Sequence, residues 1–193
     1  MMSGMFDRAD FERLTEEVVA AWLAGSDRDW SAQAGTVEWT CRQTADHAVD
    51  CTFAPAFFLA SRKQDAYPDM GSIWTCGSDA SPAQLVQALE VASRILVAVV
   101  ADAPPDCRAV IRRRPQVEVA PPLDFLARAA TELILHAHDV CAGLGVKFEP
   151  SSDLCSDLII ATAGSPWSLP GWRKPTESDD PWGELLAASG RTR

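Results

Sequence analysis

The sequence is poor in basic residues and in histidine. Seventeen Lys and Arg stand against 27 Asp and Glu, which gives a formal net charge of -10, and there are three histidines. This shortage of positive charge excludes sequence-independent binding to nucleic acid or to anionic membranes, because such binding depends on many contacts from Lys and Arg to phosphate. Nucleic acid is therefore not an expected partner.

Long apolar runs are also lacking. The longest, Ile95–Ala101, is too short to span a bilayer, which takes about 20 apolar residues. The N-terminal stretch is acidic and has no apolar core of the signal-peptide type. We therefore expect a cytoplasmic protein that has no membrane partner.

Cysteine pairs of the C-x-x-C type are absent as well. The six cysteines are scattered along the chain, and we interpret them as reduced thiols, most of them buried as small hydrophobes. A length of 193 residues with 47% hydrophobic content suits one domain over residues 1–193. We expect a helical bundle over about 7–145 and a tail over 146–193 that wraps it.

Apolar residues recur at helical spacing in four long segments. The predicted helices run from Asp7 or Asp10 to Gly25, from Thr40 to about Ser61, from Ser81 through at least Val99, and from Pro122 to Gly143 or Gly145. Thr40 with Gln43, and Ser81 with Gln84, have the spacing of capping boxes, which mark helix starts. Pro55 is expected to kink or divide the second helix.

Shorter elements are expected outside the four long helices. The proline-rich segment 104–122 favours a short strand or an extended crossover, and the tail contains helical candidates at Ser152–Ala163 and Pro181–Ser189. The predicted fold is all-α, a four-helix bundle with a short C-terminal tail of extra helical segments.

The fourth helix carries a pair of ligand-type side chains. Glu132 and His136 are four residues apart, so they lie one above the other on one face of a helix with about 3.6 residues per turn. His47 lies on the second helix, where it can face the same crevice, whereas His138 points to the opposite flank. Two imidazoles and a carboxylate form the ligand set of catalytic zinc. The alternative is that Glu132 and His136 merely hydrogen-bond along the helix and His47 is an ordinary buried histidine.

Other residues are weaker candidates. Asp139 follows His136 on the same helix face and is either a hydrogen-bond partner of the metal ligands or a helix-surface acid. Cys51, one turn after His47, either approaches the metal or is a packed thiol. The run Arg112, Arg113 and Arg114 either receives the carboxylates of a thiol cofactor or substrate, or faces water.

The segment Trp39-Thr40-x6-His47, followed by Glu132-x3-His136 and Asp139, resembles the metal-binding domain of mycothiol-dependent maleylpyruvate isomerase, within the DinB-like superfamily. The likeness covers most of residues 7–190. It implies a four-helix bundle that holds a divalent metal, usually zinc, on His47, Glu132 and His136. It also implies a low-molecular-weight thiol, mycothiol or a similar one, that the metal activates toward an electrophilic small molecule.

The family's isomerase has a further C-terminal domain, for which this chain has no room, so a related thiol transfer, or a metal site with no known substrate, is expected rather than the isomerisation itself. Two other hypotheses remain open. In one, the metal activates water for hydrolysis. In the other, a non-catalytic bundle stores a structural metal, or binds a ligand or a protein partner through its tryptophan-rich tail. Under each of these hypotheses a homodimer is an open alternative.

Overall fold

The computed structural model of the chain describes residues 6–68, 75–113, 116–163, 165 and 171–193. Within them the chain forms helices and one small sheet. In order they are α1 (Arg8–Ala24), α2 (Cys41–Ser61), α3 (Pro82–Asp102), β1 (Ala109–Arg112), β2 (Glu118–Ala120), α4 (Pro122–Leu144), α5 (Ser152–Ala163) and α6 (Pro181–Ala188). The all-α prediction is therefore confirmed at the level of a mostly helical protein.

The predicted capping boxes start two of the long helices. The Thr40 hydroxyl accepts the Gln43 backbone N–H, and the Gln43 side chain accepts the Thr40 backbone N–H. Ser81 and Gln84 repeat the arrangement at α3. Each box satisfies two backbone donors that the first helical turn would otherwise leave unpaired. Both helix starts are therefore confirmed.

Two boundary expectations are resolved in α2 and α4. The alternative that Pro55 divides α2 is wrong, because the helix is continuous from Cys41 to Ser61. Pro55 is buried, and packing holds the helix together although proline removes one backbone donor. α4 ends at Gly145, which has a φ of 66°, a left-handed conformation that glycine adopts without steric cost. Gly143, the other predicted stop, lies inside the helix.

Replacing Ser81 with alanine is expected to lower the free energy of unfolding by about 1 kcal/mol, because the first turn of α3 loses its side-chain acceptor. Urea unfolding followed by circular dichroism measures the change. Ser156→Ala, at a half-buried position inside α5 where the hydroxyl donates to the Ser152 carbonyl oxygen of its own helix, is the matched control and should leave stability within about 0.5 kcal/mol of the wild type. Equal losses in both variants would contradict the capping role.

The core lies where the four long helices meet. α2 packs on α3 and α4, and α1 also packs on α3 and α4. Fully buried aromatic and aliphatic side chains fill the interior, among them Trp22, Phe125, Leu89 and Leu133. β1 and β2 pair antiparallel and β1 packs against α2, so the predicted short strand is present as a hairpin between α3 and α4. This packing brings one face of α2 against one face of α4.

The C-terminal segment covers the outside of this core. α5 packs on α4, and α6 packs on α5. Polar contacts join the segment to α1: the Ser151 hydroxyl donates to Glu17, and Arg13 pairs with Asp153 at 2.7 Å. Trp182 is buried edge-on against Phe148. The segment after α4 is thus attached to both α1 and α4.

α3 carries apolar side chains on its outer face as well as in the core. Val91 and Ile95 are exposed large hydrophobics on it. Within the described ranges, α3 is the one helix whose length and mean hydropathy would allow it to cross a membrane, and 39% of its most apolar window is buried. The buried part, including Leu85, Leu89 and Leu96, contributes to the core.

Candidate functional site

His47, Glu132 and His136 line one cavity between α2 and α4. The cavity has a volume of about 260 Å³, and its other lining residues are Leu135, Trp172, Ser189 and Arg191. The His47 and His136 ring centres are 5.0 Å apart, and Glu132 Oε2 lies 3.5 Å from His136 Nε2. The structure therefore brings the three predicted ligands together, although they come from distant parts of the sequence.

Local packing holds His47 at this position. Its ring meets the Trp39 ring edge-on at 4.9 Å, and Trp39 directly precedes the Thr40 cap of α2. Its Nε2 atom lies 3.3 Å from the Cys51 sulfur, one helical turn further on. His47 is thus enclosed by an aromatic ring on one side and a thiol on another.

His136 lies between two carboxylates. Glu132 faces the Nε2 atom of the ring at 3.5 Å. On the opposite side of the ring, Nδ1 lies 3.5 Å from Asp139 Oδ2, and Nδ1 is buried with no hydrogen-bond partner within the described residues. Asp139 is 1% exposed and accepts two hydrogen bonds from Arg191, at 2.8 and 2.6 Å. The site therefore contains a row of four side chains in which carboxylates alternate with basic groups. In order they are Glu132, His136, Asp139 and Arg191.

The surroundings shift the pKa values of these groups in opposite directions. Burial, followed by the nearby His136, lowers the pKa of His47, so this imidazole is neutral near pH 7. Burial alone would raise the pKa of Glu132, but His136 and Arg128 lower it overall. Burial alone would lower the pKa of His136, but Asp139 and Glu132 raise it. The cavity therefore presents a carboxylate and a neutral imidazole, two of the forms that bind metal ions.

The donor types suit a divalent metal, but the side chains are not arranged around a common point. In the part of the chain that the structure describes, no group of three or more His, Cys, Asp or Glu is placed to hold a metal ion. His47 contributes to this because its Nε2 atom contacts Cys51, and that contact competes with a metal for the same nitrogen. A metal site at this position remains a prediction.

The weaker candidates have different positions. Asp139 lies beside His136 and contacts it, as described above, and Cys51 contacts His47. Burial raises the pKa of the Cys51 thiol well above its ordinary value, so at neutral pH Cys51 is a thiol and not a thiolate nucleophile. His138 lies on the other flank of α4, where its Nε2 is 3.0 Å from the Thr192 carbonyl oxygen.

The arginine run does not reach the cavity in the described residues. Arg112 pairs with Glu118 across the hairpin at 2.5 Å, and the Arg113 guanidinium lies 5.4 Å from the centre of the Tyr67 ring. Neither arginine lines the cavity, so the expected role of the arginine run in receiving a substrate carboxylate there has no geometric support. Arg114 lies outside the described residues.

Sequence reasoning missed the wall that the C-terminal segment contributes. Trp172, Ser189 and Arg191 line the cavity, and none of them was a candidate for the metal site. One signal was available for Arg191, because a carboxylate on a buried helix face, such as Asp139, requires a cationic partner. The sequence offers several basic residues after α5, and only tertiary packing selects among them.

Comparison with known proteins gives one match, at the level of the fold. No family model matches the chain, and no curated protein matches it significantly. Among solved structures, the chain is similar to a mutant of mycothiol-dependent maleylpyruvate isomerase, with 13% identity and a TM-score of 0.51. The similarity covers 82% of this chain and 72% of that chain. At this identity the similarity shows a shared helical fold and nothing about activity.

Proposed function

We propose that the protein is a DinB-like four-helix bundle that binds zinc or another divalent metal and activates a low-molecular-weight thiol toward an electrophilic small molecule. The observation that carries the proposal is the convergence of His47, Glu132 and His136 on one cavity. The fold similarity to a protein named as a mycothiol-dependent isomerase supports the choice of thiol chemistry over other uses of a metal.

The residues of the chain have separate roles in this proposal. His47, Glu132 and His136 would hold the metal, and Asp139 would accept the Nδ1 proton of His136. A bound divalent metal would lower the pKa of a small thiol and so favour its nucleophilic form at neutral pH. Leu135 and Trp172 give the cavity an apolar wall, which would exclude water from the electrophile. The thiol comes from outside the chain, since burial keeps Cys51 protonated.

The remaining parts of the proposal follow from the sequence. We propose that residues 1–193 act as one domain, that the protein is cytoplasmic, and that its partners are a small thiol, mycothiol or a similar one, and an electrophilic substrate. The cavity volume of about 260 Å³ suits part of such a ligand rather than a macromolecule.

A conjugation assay tests the proposed reaction. Zinc-loaded protein is mixed with a panel of thiols that includes mycothiol and with electrophiles such as 1-chloro-2,4-dinitrobenzene. We expect thiol-dependent consumption of the electrophile at least about tenfold faster than without protein, and loss of this increment in His47→Ala. No increment with any thiol would contradict the proposal, and ester turnover without thiol would favour hydrolysis.

A further inference from the structure

A second cavity lies on the other flank of α4, away from the candidate metal site. Its volume is about 220 Å³, and its walls come from the last turns of α4, the residues that follow them and the start of α6. His138 lines this cavity, whereas His136 lines the first one, because positions two apart on a helix point to opposite flanks. The two cavities share no lining residue. We call the second one the α4–α6 cavity.

Capped helix ends hold the walls of the α4–α6 cavity in place. α4 ends in a Schellman motif, in which the Gly145 N–H donates to the Ala142 carbonyl and the Val146 N–H donates to the Cys141 carbonyl. This cap returns the chain along the last turn of α4. At the start of α6, the Asp180 side chain accepts the Gly183 backbone N–H. The cavity is therefore built on ordered secondary structure rather than on a long loop.

Aromatic rings form the walls of the α4–α6 cavity on the side of α6. Trp182 is 4% exposed and Phe148 is 9% exposed. The Phe148 ring meets the Trp182 ring edge-on at 5.9 Å, and the His138 ring meets it edge-on at 5.6 Å. α4 contributes only small side chains next to these rings, those of Cys141 and Ala142. Large rings beside small side chains leave the space between them unfilled.

The charged side chains that line the α4–α6 cavity are exposed, and each of them is paired. Lys147 Nζ lies 2.8 Å from Glu149 Oε2, and Arg193 Nη2 lies 2.5 Å from Asp180 Oδ1. Because each cation has a carboxylate beside it, the rim favours neither an anionic nor a cationic ligand. These groups still offer hydrogen-bond donors and acceptors, so they can bind one polar edge of a neutral molecule.

The size and the walls of the α4–α6 cavity define the class of ligand that it suits. An apolar cavity of about 150 Å³ already admits benzene, so this one accommodates one aromatic ring or two fused rings. An aromatic ligand gains edge-on or offset contacts with the rings of Trp182 and Phe148, and a sulfur contact with Cys141. We propose that the α4–α6 cavity binds a small neutral aromatic molecule, such as a phenol or an indole. This site is independent of the proposed metal and of the proposed reaction.

Titration of the full-length, ¹⁵N-labelled protein with phenol and with indole, followed by NMR, tests the proposal. We expect saturable shifts of the Trp182 side-chain N–H and of the Ala142 and Phe148 backbone amides, with a Kd of about 1 mM or below. The chain has seven tryptophans, and Trp182→Phe assigns the side-chain signal. Cyclohexanol, which lacks the aromatic ring, and benzoate, which adds a charge, should each bind at least about threefold more weakly than phenol.

Substitutions that fill the α4–α6 cavity provide the second readout. Ala142 is exposed and lines the cavity, so a larger side chain there occupies the space without displacing the core. Ala142→Phe should weaken the binding of phenol by at least about tenfold, and Ala142→Leu should weaken it less. Ala187→Phe is the matched control, because Ala187 is exposed on α6 and does not line the cavity. Thermal melting followed by circular dichroism checks that each variant is folded.

One further variant separates this proposal from the proposed function. Glu132→Ala removes a candidate metal ligand of the first cavity, and it should bind phenol with the affinity of the wild type. That result together with loss of metal would sustain both proposals, and the same result in a protein that takes up no zinc would sustain the α4–α6 cavity alone. Absence of saturable shifts, unchanged affinity in Ala142→Phe, or equal affinities for phenol and cyclohexanol would overturn the proposal.

Discussion

Substitution of Glu132 by alanine is expected to abolish near-stoichiometric zinc binding. Glu132 is the sole carboxylate that lines the cavity among the described residues, and its Oε2 atom lies 3.5 Å from His136 Nε2. Outer partners of metal ligands already contribute roughly 10-fold to 100-fold to affinity, so we expect the loss of a ligand to exceed about 100-fold. Elemental mass spectrometry of protein purified without a histidine tag gives the metal content, and chelator competition gives the affinity.

Two variants keep this test specific. Glu132→Gln preserves the shape of the side chain but removes its charge, and it should also lose most of the metal. Glu16→Ala removes an exposed carboxylate of α1 that does not line the cavity, and it should retain wild-type metal content. If the wild-type protein takes up no metal after incubation with zinc, then His47, Glu132 and His136 are ordinary packed side chains and not metal ligands.

Substitution of Gly143 by alanine is expected to lower the free energy of unfolding by at least about 2 kcal/mol, the overpacking cost outweighing the gain in helix propensity. Gly143 lies inside α4 where the α1–α2 loop crosses it. A Cβ there would overlap the Gln33 carbonyl oxygen, and it would lie 2.5 Å from the Cys41 sulfur and 3.0 Å from Ala34 Cα. Two of these atoms belong to the backbone and cannot move aside like a flexible side chain.

The neighbouring helix position supplies the control for Gly143. Ala142→Ser changes an exposed residue of the same turn and should shift stability by less than about 0.5 kcal/mol. Chemical unfolding of both variants beside the wild type measures the difference. A Gly143→Ala variant as stable as the wild type would mean that the loop does not approach α4 as closely as described.

The starts of the long helices were predictable from sequence because their signals are local. The Thr40 and Ser81 boxes each depend on residues three apart, and no distant contact has to form before they act. The same holds for the pair Glu132 and His136, whose spacing alone places them on one face of α4. The end of α4 was ambiguous because Gly143 and Gly145 both resemble stop signals, and only the packing of the loop shows why the first is glycine.

The rest of the cavity could not be predicted from sequence in this way. Its wall depends on where the segment after α5 packs, and that segment carries several basic residues of similar appearance. Arg191 reaches Asp139, whereas Arg173 pairs with Glu184 and Arg193 pairs with Asp180. The run that begins at Arg112 was a candidate anion site because it concentrates positive charge, but Arg112 forms a salt bridge with Glu118 on the hairpin.

The assembly of the cavity from α2, α4 and the C-terminal segment has a practical consequence. None of these pieces forms the cavity alone, so a ligand that binds there recognises the native chain and not the unfolded one. Such a ligand raises the melting temperature, because its binding adds about 2.7 kcal/mol of stability at 100 times its Kd. A thermal melting screen of metals, thiols and electrophiles, alone and in pairs, would therefore report the ligands of this cavity without an assay of any reaction.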